Sequence, residues 1–342
     1  LFGREELPRI FPVLNTNRRL FWPWLWFASR LMPFGRLPAD LREKLILRTA
    51  WLTQSANLWA THASRAGESG LSAAEVQRVA EGPAEGWSEF EAVLLGLADE
   101  LFRNASVTDQ TWDTLAEQYD LYNMVDAVVT VNETTSNAIL FNSLGIQSDD
   151  DTTARIPTDD VAYRVVVPDR EPSLEVPRIE PLEGDGLRVG RTFRRHPDMA
   201  AARGTNPGYI LNPERSRLMP HDRELLILRT GWNAQAVYEW AKHVGSVGRA
   251  RDRGLEPERI ARGPDAGWND FEQAHLRAAD EIYRDGIVSD ATWTALAQRY
   301  DTREMMSVLM TVANYRLVSM SLNAFGVQPQ PTDEVFPNVS RR

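Results

Sequence analysis

Apolar residues recur every three to four positions through most of the chain, broken by short polar stretches. In 41–52 they fall at 41, 45, 46, 47 and 51, close to a 3.6-residue period with a wide buried face. In 87–102 Phe90, Val93, Leu94, Leu97 and Leu101 share one face, and Ser88 is placed to cap the N-terminus. Residues 108–119 predict another helix, opening at Thr108 or Asp109. A long helix runs through 124–143 and stops at Gly145, as Gly326 stops a second one. Sustained two-residue alternation is missing, and "AYRVVV" (162–167) is the one candidate for a short strand. The predicted fold class is all-α.

The pattern occurs twice. "REKLILRTAW" (42–51) returns as "RELLILRTGW" (223–232), and "EGPAEGWSEFE" (81–91) as "RGPDAGWNDFE" (262–272). "FNSLGIQ" (141–147) returns as "LNAFGVQ" (322–328), and all three pairs share an offset of 181 residues. The openings, "LPRIFP" (7–12) and "VPRIEP" (176–181), are 169 apart, so the second copy carries about 12 extra residues before its first long helix. Eight of the 11 tryptophans form four repeat pairs, which reads as core packing. The expected organisation is a repeat over 1–147, an extended acidic, proline-containing connector over 148–175, a repeat over 176–328 and a frayed polar tail over 329–342. Two copies in one chain are expected to pack about a pseudo-two-fold axis as an intramolecular pseudo-dimer.

Composition narrows the chemistry. A net charge of −10 argues against nucleic-acid binding, which needs a basic face. Cysteine is absent, which removes disulfides, thiolate metal sites and thiol redox chemistry, and fits a cytoplasmic protein. Only Lys44 and Lys242 are available for a Schiff base, and Lys242 points about 100° away from His243 around a helix. The apolar run 20–34, "LFWPWLWFASRLMPF", is interrupted by Pro23, Arg30 and Pro33 and is too short for a membrane span, which needs ~20 residues. It reads as a buried or interface helix, with membrane-surface contact as the minor alternative, and no membrane partner is expected.

The strongest chemical constellation is "YEWAKH" (238–243). Glu239 and His243 are four residues apart and project from one helix face. If the helix carrying Glu224 folds back beside them, three titratable groups converge, and an imidazole between two carboxylates can move a proton. The surroundings, Trp232, Val237, Tyr238, Trp240 and Val244, are apolar or aromatic, and a carboxylate in such a wall is expected to have a raised pKa. The bland alternative is a surface ion pair worth tenths of a kcal/mol. Arg48 and Arg229 hold equivalent places in "LILRT" and serve either as structural partners of an acid or as anchors for a substrate carboxylate. His196, His221 and His275 read as structural. A metal site is not expected, because di-iron bundles use Glu-x-x-His and the spacing here is one longer, in one copy only.

"RELLILRTGW…YEWAKH" resembles the carboxymuconolactone decarboxylase and alkyl hydroperoxidase D-like superfamily. That signature is a glutamate, residues at +12 and +15, and a histidine at +19. Glu224, Ala236, Glu239 and His243 fit the frame, as do Glu43, Ser55, Leu58 and His62. The resemblance covers about 110 residues of each half. It implies an alkyl hydroperoxidase D-like helical domain. In the peroxidase branch +12 and +15 are cysteines, so the chain is not expected to be a thiol peroxidase. The decarboxylase-type branch implies work without a metal or organic cofactor. The second copy reads as the working one; Glu43, Ser55 and His62 mark a degenerate or secondary site in the first.

The resulting expectation is a cofactor-independent lyase or isomerase that transfers protons on a carbonyl-activated small molecule, such as a lactone or β-keto acid. His243 would be general base or acid, Glu239 its partner or second proton shuttle, and Glu224 the group that orients the imidazole. Tyr238, Trp232, Trp240 and Arg229 would form the substrate pocket. The Trp-rich run hints at a larger, more apolar substrate and specialised metabolism. One alternative is a cofactor-free cyclase or dehydratase acting on a polyketide- or terpenoid-like substrate. Another is a non-catalytic hydrophobic-ligand-binding or scaffold protein. Relatives of the single-repeat type imply a homo-oligomer, a trimer, or else a monomeric pseudo-dimer.

Overall fold

The computed structural model of the chain describes residues 8–83, 86–149, 154–157, 174 and 176–339. Among them the protein is all-α, with no strand. The candidate strand 162–167 and most of the connector lie outside the described residues.

The first half runs through α1 (Ile10–Asn15), α2 (Arg18–Leu31), α3 (Ala39–Leu52), α4 (Ala56–Ala63), α5 (Ala73–Glu81), α6 (Glu89–Asn104), α7 (Asp109–Ala116) and α8 (Leu121–Ser143). The second opens with four short helices, α9 (Arg188–Phe193), α10 (Pro197–Arg203), α11 (Thr205–Ile210) and α12 (Pro213–Ser216). It continues through α13 (Pro220–Asn233), α14 (Val237–Val244), α15 (Pro257–Arg262), α16 (Asp270–Asp285), α17 (Asp290–Ala297) and α18 (Thr302–Phe325). The helices that share the 181-residue offset have nearly equal lengths: 14 and 14 residues for α3 and α13, 16 and 16 for α6 and α16, 23 and 24 for α8 and α18.

Local chemistry sets the helix ends. Ser88 caps α6 in a reciprocal box with Glu91, and Asn269 does the same for α16 with Glu272. Thr108 caps α7. Gly145 and Gly326 follow α8 and α18 with left-handed φ of 63° and 68°, where a side chain would be strained.

The two long helices α8 and α18 pack along each other more extensively than any other pair. Apolar burial there contributes ~1.5–3 kcal/mol per fully buried large side chain. Polar groups cross the same interface. Asn132 donates to Ser321 at 3.0 Å. Arg316, 1% exposed, lies over the rings of Phe102 and Tyr283. It donates to the carbonyls of Ile282 and Tyr283 at 3.4 and 3.2 Å and of Phe102 at 3.4 Å. Those carbonyls belong to the last turns of α16 and α6, where unpaired oxygens and the helix dipole favour a cation.

The apolar run 20–34 forms α2, which buries Leu20, Phe21, Trp24, Phe27 and Leu31. It packs on α10, α11 and α12 of the other half, and Thr205 donates to the Pro23 carbonyl at 3.1 Å. Trp22, Trp26 and Phe34 remain exposed. No helix among the described residues is long and apolar enough to cross a membrane.

One expectation is corrected. The tail is not frayed over residues 329–339. Phe336 stacks edge-on against Trp232 and Trp240 with centroids 5.1 and 5.3 Å away, and Asp333 pairs with Lys242.

Candidate active site

A helical hairpin builds the site. α13 ends at Asn233, Gln235 turns with a φ of 53°, and the Ala236 amide closes on the Gly231 carbonyl at 2.9 Å. α14 then runs back beside α13. Glu224 lies about 14 Å below the turn on one helix, and His243 about 10 Å below it on the other, at 1.5 Å per residue. The 19-residue spacing therefore brings the two side chains level.

His243 is buried between two carboxylates. Its Nδ1 lies 2.6 Å from Glu224 Oε2 and its Nε2 2.9 Å from Glu239 Oε1. Arg223 donates to Glu224 Oε1 at 2.9 Å and to the Leu211 carbonyl at 3.1 Å. Burial pushes the His243 imidazole down, but the charge and hydrogen bond of Glu224, with those of Glu239, raise it to about 9. Burial likewise pushes the Glu224 carboxyl up, and His243 and Arg223 outweigh it, holding Glu224 below the usual range. The upward shift therefore falls on the histidine, and Glu224 moves down. The pairing with Glu224 thus favours the protonated form of His243.

The Tyr315 ring meets His243 edge-on at 5.0 Å. Burial, with the Glu239 and Glu224 charges, drives its phenol far above the ordinary range. The Val189 amide donates to the Tyr238 oxygen at 3.1 Å, which leaves the phenolic proton available. Burial first, then the Glu239 charge, raises Tyr238 as well, so both tyrosines are neutral donors.

A cavity of about 130 Å³ opens beside the histidine, with Glu239, His243, Tyr238 and Tyr315 in its wall. Cavities of this order, about 150 Å³, hold a benzene-sized molecule. Glu224 sits behind the imidazole. Among the described residues no three acidic or histidine side chains converge as a metal site, and both nitrogens of His243 are committed to carboxylates.

Three expected pocket residues lie elsewhere. Trp232 and Trp240 face a separate apolar cluster with Leu225, Leu228 and Val244, closed by Phe336. Trp240 follows Glu239 by one residue, which turns it about 100° around the helix, away from the cavity. Arg229 grips Asp280 through Nε and Nη2 and donates to the Ile260 and Ala261 carbonyls. It is a structural clamp, as Arg48 is with Asp99. The Trp-rich α2 contributes nothing to the cavity wall.

In the first half, His62 Nδ1 lies 2.6 Å from Glu43 Oε1, matching the second half. Leu58 stands where Glu239 does, so no second carboxylate reaches the ring. Ser55 is buried with its hydroxyl unpaired, and Thr134 stands where Tyr315 does. The other histidines are structural. His196 caps α10 and lies 3.0 Å from Asp126, His221 lies 3.0 Å from Glu272, and His275 joins the Phe271 carbonyl to the Tyr300 hydroxyl.

Sequence reasoning missed Arg203, Arg223, Gly248, Asn314 and Tyr315. Arg223 had a signal, being adjacent to Glu224. Gly248 lies just past the end of α14, five residues after His243, while Arg203, Asn314 and Tyr315 come from distant elements with no spacing relation to the hairpin. Scanned against models of protein families, the chain matches none, and a search of curated proteins returns no match.

Proposed function

We propose that the protein is a tandem member of the carboxymuconolactone decarboxylase-like superfamily, and a cofactor-independent lyase or isomerase working by proton transfer beside a carbonyl. The observation that carries this reading is the ring of His243 held between Glu224 and Glu239, with Glu239 and His243 lining a partly open cavity.

We assign the roles by position around the cavity. Glu239, the carboxylate in the cavity wall, exchanges a proton with the carbon next to the substrate carbonyl. His243 is the acid behind it, handing a proton to Glu239 through Nε2 and recovering it in the reverse step. Glu224 and Arg223 fix the ring and its charge. Tyr238 donates to the carbonyl oxygen and stabilises the enolate as charge develops there. In the lyase version the bond to the departing carbon supplies the enolate electrons, and the carbon takes its proton from the Glu239–His243 couple.

The C-terminal half is the working one, since Leu58 leaves His62 without a second carboxylate. The cavity volume favours a small substrate over the polyketide- or terpenoid-like alternative. Exposed Trp22, Trp26 and Phe34 support association of copies of the chain, to be tested by light scattering.

Proton NMR in D2O with small ketones and oxo acids tests the assignment. Wild type is expected to exchange the hydrogens next to the carbonyl, and Glu239→Gln to slow that exchange by about 10²–10⁴-fold. Exchange that is equal in wild type, Glu239→Gln and His243→Gln excludes the reading.

A further inference from the structure

We propose that the cavity beside His243 binds a small carboxylic acid through Arg203 and Asn314, and that this carboxylate is a handle retained through the reaction. The binding half stands on its own; the handle half rests on the proton-transfer reading above.

Two donors lining this one cavity lack an acceptor. Asn314 is 2% exposed and its Nδ2 has no hydrogen-bond partner. Arg203, at the end of α10, lies over the Phe193 ring at 4.6 Å. Its Nε is buried without a partner, and among the described residues no carboxylate pairs with its guanidinium. Buried donors are nearly always satisfied, and a half-buried guanidinium that touches no carboxylate has room for one, so the partner is expected to come from outside the chain.

The charges around the cavity point the same way. His243 and Arg223 are balanced by Glu224 and Glu239. Lys242, also in the wall, is held by both oxygens of Asp333 at 2.8 and 2.6 Å. Arg203 lacks such a contact: Glu239 acts on it only through space, and the carboxylate of a monoanion would supply the direct one. Water could satisfy Asn314 but would leave Arg203 without it. The rest of the wall, including Leu187, Val189 and Val318, is apolar, and the volume admits about a benzene-sized body. The ligand is a compact oxo acid, with its carboxylate at Arg203 and Asn314 and its carbonyl toward Tyr238.

The handle follows from charge. Loss of CO2 would remove the anion that Arg203 stabilises, and binding that favours the ground-state carboxylate raises the barrier to losing it. Proton transfer leaves the carboxylate intact. Glu239 takes a proton from the carbon beside the carbonyl, and the C–H electrons form the enolate held by Tyr238. Where the oxo acid carries a carbon–carbon double bond β,γ to the carbonyl, the enolate is a dienolate, and the proton returns to its γ carbon as the double bond moves into conjugation. The step is an isomerisation that balances without a co-reactant.

Calorimetry with 4-oxopentanoate and its methyl ester tests the binding half. The acid is expected to bind at least about tenfold tighter than the ester. Arg203→Gln should remove that preference without weakening the ester, Asn314→Leu should reduce it, and Arg203→Lys should recover part of it. Circular dichroism checks that the variants fold. Equal affinity for acid and ester, or an Arg203→Gln variant that binds the acid like wild type, overturns the site. For the handle, 3-oxopentanoate should lose CO2 no faster with the protein than in buffer; faster release that depends on Glu239 overturns it. Arg203-dependent binding together with hydrogen exchange indifferent to Glu239→Gln sinks the catalytic reading and leaves the carboxylate site standing.

Discussion

Gly248 is packed against Glu224 with no room for a methyl group: a Cβ there would overlap Oε2 of the carboxylate as well as the His243 carbonyl oxygen. Gly248 thus closes the far side of the ion pair. Gly248→Ala is expected to cost about 1–3 kcal/mol, the range for overpacking a dense interior. It should also pull Glu224 off Nδ1. Denaturant melts measure the first effect, and an NMR titration in which His243 falls back toward its ordinary pKa measures the second.

His243 keeps its proton in the folded protein up to about pH 9, where an ordinary histidine releases it near 6.5. The stability this supplies is fully present below pH 6.5 and is lost as pH rises through about 9. Unfolding free energies measured from about pH 6 to about pH 10 should fall by up to about 3 kcal/mol more in wild type than in His243→Gln. Glu224, shifted downward, acts at the other end: its contribution is present above the ordinary carboxylate range and is lost as the pH falls. Parallel wild-type and His243→Gln curves would refute the charged triad.

Removing residues 329–342 should uncover Trp232 and Trp240, which Phe336 shields. Tryptophan emission is expected to shift to the red. Phe336→Ala alone should cost about 1–2 kcal/mol, below the range for a fully buried ring because Phe336 is half-buried. The truncation also frees Lys242 from Asp333, adding a second cation to the cavity wall, so oxo-acid affinity should rise as stability falls. Unchanged emission would mean that the tail is not docked in solution.

The hairpin of the candidate site was legible because its geometry is local. Glu224, Glu239 and His243 lie on consecutive helices, and helix periodicity fixes which of their side chains share a face. The neighbours misled for the same reason. Trp232 and Trp240 are close in sequence, yet rotation around α13 and α14 turns both into the opposite cluster. Arg229 is five residues after Glu224, about 140° away around the helix, which sends it to Asp280. Arg203 and Asn314 were illegible because their meeting depends on how α10 and α18 pack against α14, and no periodicity encodes that. The all-α class and the glycine stops after α8 and α18 needed only local rules. The docked tail did not follow from its composition, since one phenylalanine between two tryptophans decides it.

Arg316 has a consequence for how the molecule comes apart. One side chain on α18 holds the ends of α6 and α16, so neither half can loosen without stranding a guanidinium among greasy rings and uncapping a helix in the other. The chain should behave as a single cooperative unit in calorimetry, with one heat-absorption peak. Expressing either half alone should yield a sticky, poorly ordered polypeptide in place of a folded domain.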